Sequence, residues 1–247
     1  MKYVLAFLLV VLTSVSSANV QPVMAESNLA KDIILFEANT YRVSTEFNVH
    51  GMQKDKESAK TLFNVLARGD ELSLLFDEQS AELAPSWNEY RSFVWKKHKQ
   101  TGGEIDNYVF NDMRILHSKL LNIIVNVKKQ INTELLPAKD LNKVNGILLI
   151  EQLASEYIEI SANTFGVFGF AGNDHAIQIE NRSEAFERVI AELKNIYADD
   201  AASLRKVKKL ALRWKFIKNT LLAYNQRTAP FAVTRTVDYI REQLVEL

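Results

Sequence analysis

Apolar side chains recur at alternating spacings of four and three along most of the chain. Leu29, Ile33, Phe36, Thr40, Val43 and Phe47 make the first such stripe. Leu62, Val65, Gly69, Leu72 and Phe76 follow, then Val109, Met113, Leu116, Leu120, Ile123 and Val127. Ile147, Ile150, Ala154, Ile158 and Phe165 form another, as do Phe186, Val189, Leu193 and Tyr197. Leu204, Val207, Ala211, Trp214, Ile217 and Leu221 come next, and Val233, Val237, Ile240, Leu244 and Leu247 close the chain. Each stripe predicts one face of an α-helix that must bury against neighbours. No segment alternates as a half-buried strand does.

Polar and breaker residues separate the stripes. His50-Gly51-Met52 is expected to end the first helix, and Ser80 to Pro85 to part the second from the third, with Pro85 in a first turn. Thr101-Gly102-Gly103 ends the third and Pro137 closes the fourth. Gly166 to Gly172 is a glycine- and aromatic-rich loop, Asp199-Asp200 offers a cap for a new helix, and Pro230 starts the last. The prediction is an all-α chain of eight helices joined by short connections, the pattern of antiparallel bundles.

The helices repeat. Leu29 to Val43 aligns without gaps with Leu153 to Val167, sharing L-A-x-[DE]-x-I-x-x-x-A-N-T-[YF]-x-V. Helical composition supplies the apolar matches but not a shared Ala-Asn-Thr-aromatic. Trp87 with Tyr90-Arg91 corresponds to Trp214 with Ile217-Lys218. The expected organisation is two tandem antiparallel four-helix bundles, 26–136 and 137–247, meeting at Pro137.

Residues 1–25 read differently. Met1-Lys2 is a short positive start, Tyr3 to Leu12 is a continuous apolar run, and Thr13 to Ala18 is rich in small residues. This is the layout of a secretory signal peptide, with cleavage expected after Ala18 or after Ala25. The apolar run is short for a membrane span. The expected location of the mature chain is therefore the periplasm.

Composition narrows the chemistry. The 247 residues carry a formal net charge of zero and no cysteine. Balanced charge removes the electrostatic case for nucleic acid. Lack of cysteine removes disulfides, thiolate metal sites, c-type haem, a cysteine nucleophile and a lipid-anchored cysteine. His50, His98, His117 and His175 are scattered, with no Glu-x-x-His. No Gly-x-Ser-x-Gly or glycine-rich phosphate loop is present. No metal, no cofactor and no enzyme activity are expected.

The order of motifs resembles the periplasmic sensor domain of the type IV pilus methyl-accepting chemotaxis transducer (PilJ-like) family, related to the nitrate-sensing domains of NarX-like kinases. The second unit has Glu151-Gln152-Leu153-Ala154 where that family carries its first-helix motif. It has Trp214 with Ile217-Lys218 later, and Val237-Asp238-Tyr239-Ile240 near its end. The first unit has Ser27-Asn28-Leu29-Ala30, Trp87 with Tyr90-Arg91, and Ser118-Lys119-Leu120-Leu121. The resemblance implies a helical bundle that senses a small ligand or signal. It also implies work in chemotaxis, pilus or two-component signalling, with a membrane chemoreceptor or sensor kinase as partner. The family's anion-binding arginine falls on Leu29 and Leu153, which cannot pair with an anion. Family members continue into a transmembrane helix and a signalling module, whereas this chain stops at Leu247, as expected of a free-standing relative.

Polar residues beside the core stripes are the candidate ligand contacts: Asn39, Thr40, Asn163 and Thr164, with Phe165, Trp87 and Trp214 as walls. The same residues read first as register-setting polar points and core anchors, a role that their repetition in both copies favours. Arg205, Lys206, Lys208, Lys209, Arg213, Lys215 and Lys218 load one helix with positive charge. That face is expected to be solvated beside acidic neighbours, or else to meet an acidic partner or phospholipid head groups. The functional expectation is a non-enzymatic sensor-like or adaptor protein. The alternative is a soluble periplasmic carrier holding an apolar or aromatic molecule near Asn163, Thr164 and Phe165.

Overall fold

The computed structural model of the chain describes residues 20–100, 107–133, 136–162, 173–224, 226 and 228–247. These residues form an all-α fold. Its helices are α1 (Val20–Gln53), α2 (Lys56–Ser73), α3 (Leu83–Gln100), α4 (Asn107–Gln130), α5 (Ala138–Ala162), α6 (Asn173–Ile196), α7 (Ala201–Leu222) and α8 (Pro230–Val245). A 3-10 turn, Leu74–Phe76, follows α2. Among the described residues there is no strand, and no helix is long and apolar enough to cross a membrane.

Local chemistry explains the helix ends. Asp200 caps α7 by accepting from the amides of Ala202 at 3.0 Å and Ser203 at 3.2 Å. Pro230 sits in the first turn of α8, where its missing N–H costs nothing. The end of α1 departs from expectation. Gly51 remains helical, and the turn is made by Lys54, which adopts a left-handed φ of 54°. Asp55 then caps α2 by accepting from the Ser58 amide at 2.8 Å. The Lys54 amide closes α1 by donating to the His50 carbonyl at 2.8 Å, and the Asp55 carboxylate satisfies an orphan amide at the start of α2.

Contacts run in order along each half. α1 meets α2, α2 meets α3, α3 meets α4, and α4 returns to α1. α5, α6, α7 and α8 repeat this, with α8 returning to α5. The most extensive contact joins the halves: α1 against α5. Arg182, paired with Glu156, lies in the field of Tyr41 and Glu37, while Arg241, paired with Glu151, lies in that of Glu46, so the two helices run antiparallel.

This central position changes how α1 is buried. Its stripe predicts one apolar face, yet residues 36–40 and 43–50 are all buried. The second face is built of Ala38, Ser44, Thr45, Glu46 and Asn48, small or polar residues that a hydrophobic period does not register. α5 is likewise buried through 153–158. The aligned positions Ala30 and Ala154, and Ile34 and Ile158, are buried in both copies. One hydrophobic core runs through both halves.

Candidate functional site

Trp87 and Trp214, two expected pocket walls, are buried core side chains with matching partners. The Trp87 indole donates to Asp70 of α2 at 2.9 Å, and Arg91, one turn on, meets the same carboxylate at 2.7 Å. In the second half the Trp214 indole donates to Glu187 of α6 at 3.4 Å, and Lys218 meets that carboxylate at 2.7 Å. The Trp-x-x-x-basic spacing puts indole and cation on one helix face, where a single acid from the preceding helix satisfies both. Hydrogen bonding to Lys218 holds the Glu187 carboxyl below its usual range.

Asn39 and Thr40 are also consumed internally. The Asn39 amide donates to the Val65 carbonyl of α2 at 3.1 Å. The Thr40 hydroxyl donates to the Glu37 carbonyl at 2.8 Å and lies 2.9 Å from Nε2 of His117 on α4. Having spent its one proton on Glu37, Thr40 accepts from His117, which fixes the Nε2–H tautomer. His117 is stacked on Tyr90 at 5.3 Å and edge-on to Tyr41 at 4.9 Å. Burial pushes its pKa down to about 4, so the ring is neutral at pH 7. Asn163, Thr164 and Phe165 lie outside the described residues.

Charges line the α1–α5 seam. Glu37 meets Lys128 of α4 at 2.7 Å, Glu156 meets Arg182 of α6, and Glu159 meets Arg114 of α4 at 3.2 Å. Farther along, Arg241 of α8 bonds Glu151 at 2.6 Å and also Asp238. Arg42 lies 3.6 Å from Asp238 and 3.8 Å from Glu46. Burial first, then the neighbouring Asp238, raises Glu46 to about 7, while Arg42 and Arg241 hold it back. Burial likewise raises Glu159 to about 7. Such a seam specifies how the halves meet more than it stabilises them. Among the described residues no group of three or more His, Asp or Glu is placed to hold a metal ion.

An open recess of about 680 Å³ lies between α7 and α8. Phe216, Phe231 and Tyr239 supply its apolar walls, and Arg213 and Arg235 supply positive charge, with Asp238 and Glu242 on the α8 side. Arg213 stands over the Tyr239 ring at 5.0 Å. None of the described sequence-expected site residues, Asn39, Thr40, Trp87 and Trp214, lines this recess. Its one sequence signal is the aromatic Phe216 amid the basic run of α7. Of the seven cations on α7, Lys206 and Lys218 reach acids, namely Glu246 and Glu187. Among the described residues these are the ion pairs of the α7 cations, and Arg213 shares the recess with Asp238 and Glu242, so acids do neighbour the basic face.

The chain matches no protein-family model, no curated protein and no solved structure.

Proposed function

We propose that this chain is a non-enzymatic periplasmic binding protein of sensor-like or adaptor type, and that the α7–α8 recess is where it takes its ligand. One observation carries this reading. In the recess, apolar and cationic side chains converge on open space, whereas Asn39, Thr40, Trp87 and Trp214 are committed to partners within the fold. Concave sites with apolar walls and a few convergent polar groups are where small ligands bind. Phe216, Phe231 and Tyr239 suit an aromatic or apolar body, and the Arg235 guanidinium suits a carboxylate end. Occupancy would alter the surface of α8, whose Asp238 and Arg241 reach the α1–α5 seam. A receptor or sensor-kinase partner reading that surface completes the adaptor role.

Phenylacetate, benzoate and indole-3-acetate serve as probes, titrated by calorimetry and by proton NMR of the Tyr239 ring. Saturable binding is expected, lost in Arg235→Ala and Phe231→Ala while thermal unfolding stays unchanged. Absence of binding by all three, or binding that survives both substitutions, refutes the assignment.

A further inference from the structure

α7 carries seven basic side chains and no acidic one, in a chain whose total charge is zero. Its core face is Val207, Leu210, Trp214, Ile217 and Leu221. The opposite crown of the helix bears Leu212 and Phe216, one turn apart and 69% and 68% exposed. Arg205, Lys208, Lys209 and Lys215 flank that crown, all exposed, and have no ion-pair partner among the described residues. The arrangement spans residues 205–216, about 16 Å of helix.

We infer that this face of α7 docks on an anionic phospholipid bilayer, with the helix lying in the plane of the surface and Leu212 and Phe216 inserted between head groups. Charge complementarity sets the sign of the occupant: unpaired cations on a neutral protein select a negative surface. Shape favours a bilayer over an acidic protein. Leu212 and Phe216 protrude from the crown, with cations on both sides of them. A fluid interface accepts a protruding apolar pair and a spread of charge at once, which is how amphipathic helices lie on membranes. A protein partner would need a pocket matched to the two side chains. Leu212, Lys208, Lys209 and Lys215 do not line the α7–α8 recess; of the docking residues only Phe216 does, so the two surfaces adjoin at that ring and the substitutions below leave the recess lining untouched.

The test is flotation of the full chain with vesicles of phosphatidylcholine alone, or with about two-fifths phosphatidylglycerol. More of the chain is expected to bind the anionic vesicles than the neutral ones, and that excess is expected to weaken at least about tenfold between roughly 50 and 500 mM salt as screening sets in. Tyr3 to Leu12 would partition into either vesicle type regardless of salt, so lipid-charge dependence isolates α7. Lys208→Glu/Lys209→Glu and, separately, Leu212→Glu are each expected to abolish the excess on anionic vesicles, with helix content and aromatic-carboxylate binding intact. Equal binding to neutral vesicles, or no binding to anionic ones, overturns the inference. So does loss in the charge variant with full binding by Leu212→Glu, since that marks adsorption of a polycation, as an acidic protein would also cause. If probe binding is lost but flotation persists, only the recess assignment fails.

Discussion

Gly69→Ala sets two physical effects against each other. Gly69 lies inside α2, and replacing a helical glycine by alanine should stabilise by about 1 kcal/mol through backbone propensity. A Cβ at this position, however, would stand 2.1 Å from Trp87 Cζ2, 2.3 Å from Cη2 and 2.9 Å from Cε2. Carbon atoms pack at about 3.5–4 Å, so the indole must retreat by roughly 1.5 Å. It has nowhere to go. Trp87 is fully buried, edge-on to Phe36 at 5.6 Å and to Tyr90 at 6.1 Å, and tied to Asp70 at 2.9 Å. Overpacking costs about 1–3 kcal/mol, and a weakened bond to a carboxylate about 1.5–3 kcal/mol more. Net destabilisation of about 2–5 kcal/mol is expected, a fall in Tm on the order of 10 °C.

Urea unfolding followed by circular dichroism and by tryptophan emission measures this directly. Gly146→Ala in α5 is the control. Its Cβ would lie 3.2 Å from Leu244 Cδ1, the end of a flexible side chain, and from Val189 Cγ1, contacts that a shift of a few tenths of an ångström relieves, and a change within about 1 kcal/mol is expected. Trp87→Phe removes the clashing ring edge, so Gly69→Ala should cost less in that background. A Gly69→Ala protein as stable as the wild type, or one equally destabilised with Phe at 87, would refute the steric account.

Glu46, raised to about 7 by burial and then by Asp238, holds its proton more firmly folded than unfolded. Its contribution is fully present below about pH 4.5 and lost as pH rises through 7, so Glu46→Gln should gain about 1–3 kcal/mol over wild type at pH 8 and little at pH 4.5; a gain independent of pH would contradict this. His117 has the opposite sign. Burial lowers it to about 4, so its contribution is present above about pH 6.5 and lost as pH falls toward 4, and an NMR midpoint at or above 6.5 would disprove the packed, neutral ring. Asp70→Ala strands a buried indole N–H and should cost about 1–3 kcal/mol by thermal melting. Glu187→Ala should cost less, since its indole bond is long at 3.4 Å and its ion pair half-exposed; equal costs would argue against the geometry.

Helix number and most boundaries were readable because they rest on local signals: the apolar period, the Asp200 cap, Pro137 and Pro230. What escaped were contacts between elements distant in sequence. Nothing in the chain announces that Thr40 meets His117, 77 residues away, or that Trp87 and Trp214 each share a carboxylate with a nearby cation. Polar residues beside a core stripe look alike whether they await a ligand or are already paired, and Asn39 and Thr40 are paired. The seam was hidden because the second faces of α1 and α5 are polar yet buried. The recess was hidden because Arg213, Phe216, Phe231, Arg235 and Glu242 are exposed, and a hydrophobic period reports only what faces inward.

Under the two-unit reading of the sequence, corresponding positions of the halves differ at the proposed site. The tryptophans align Glu89 of α3 with Phe216 of α7. The buried positions Met113, Leu120 and Ile124 of α4 match Val233, Ile240 and Leu244 of α8, which places Lys119 opposite Tyr239. That register is one residue off the pairing of Ser118 with Val237 that the helix endings suggest. In the first half the two facing positions are closed by an ion pair, Lys119 to Glu89 at 2.6 Å. In the second half the same positions hold Phe216 and Tyr239, two walls of the open recess. The carboxylate beneath each tryptophan is kept, as the fold requires, while the pair above it has changed from charged to aromatic. A surface ion pair contributes little to stability, so its replacement costs the fold almost nothing. Phe216 is exposed and Tyr239 half-buried under Arg213, so the core does not demand the aromatic pair, and the proposed ligand site gives it a use.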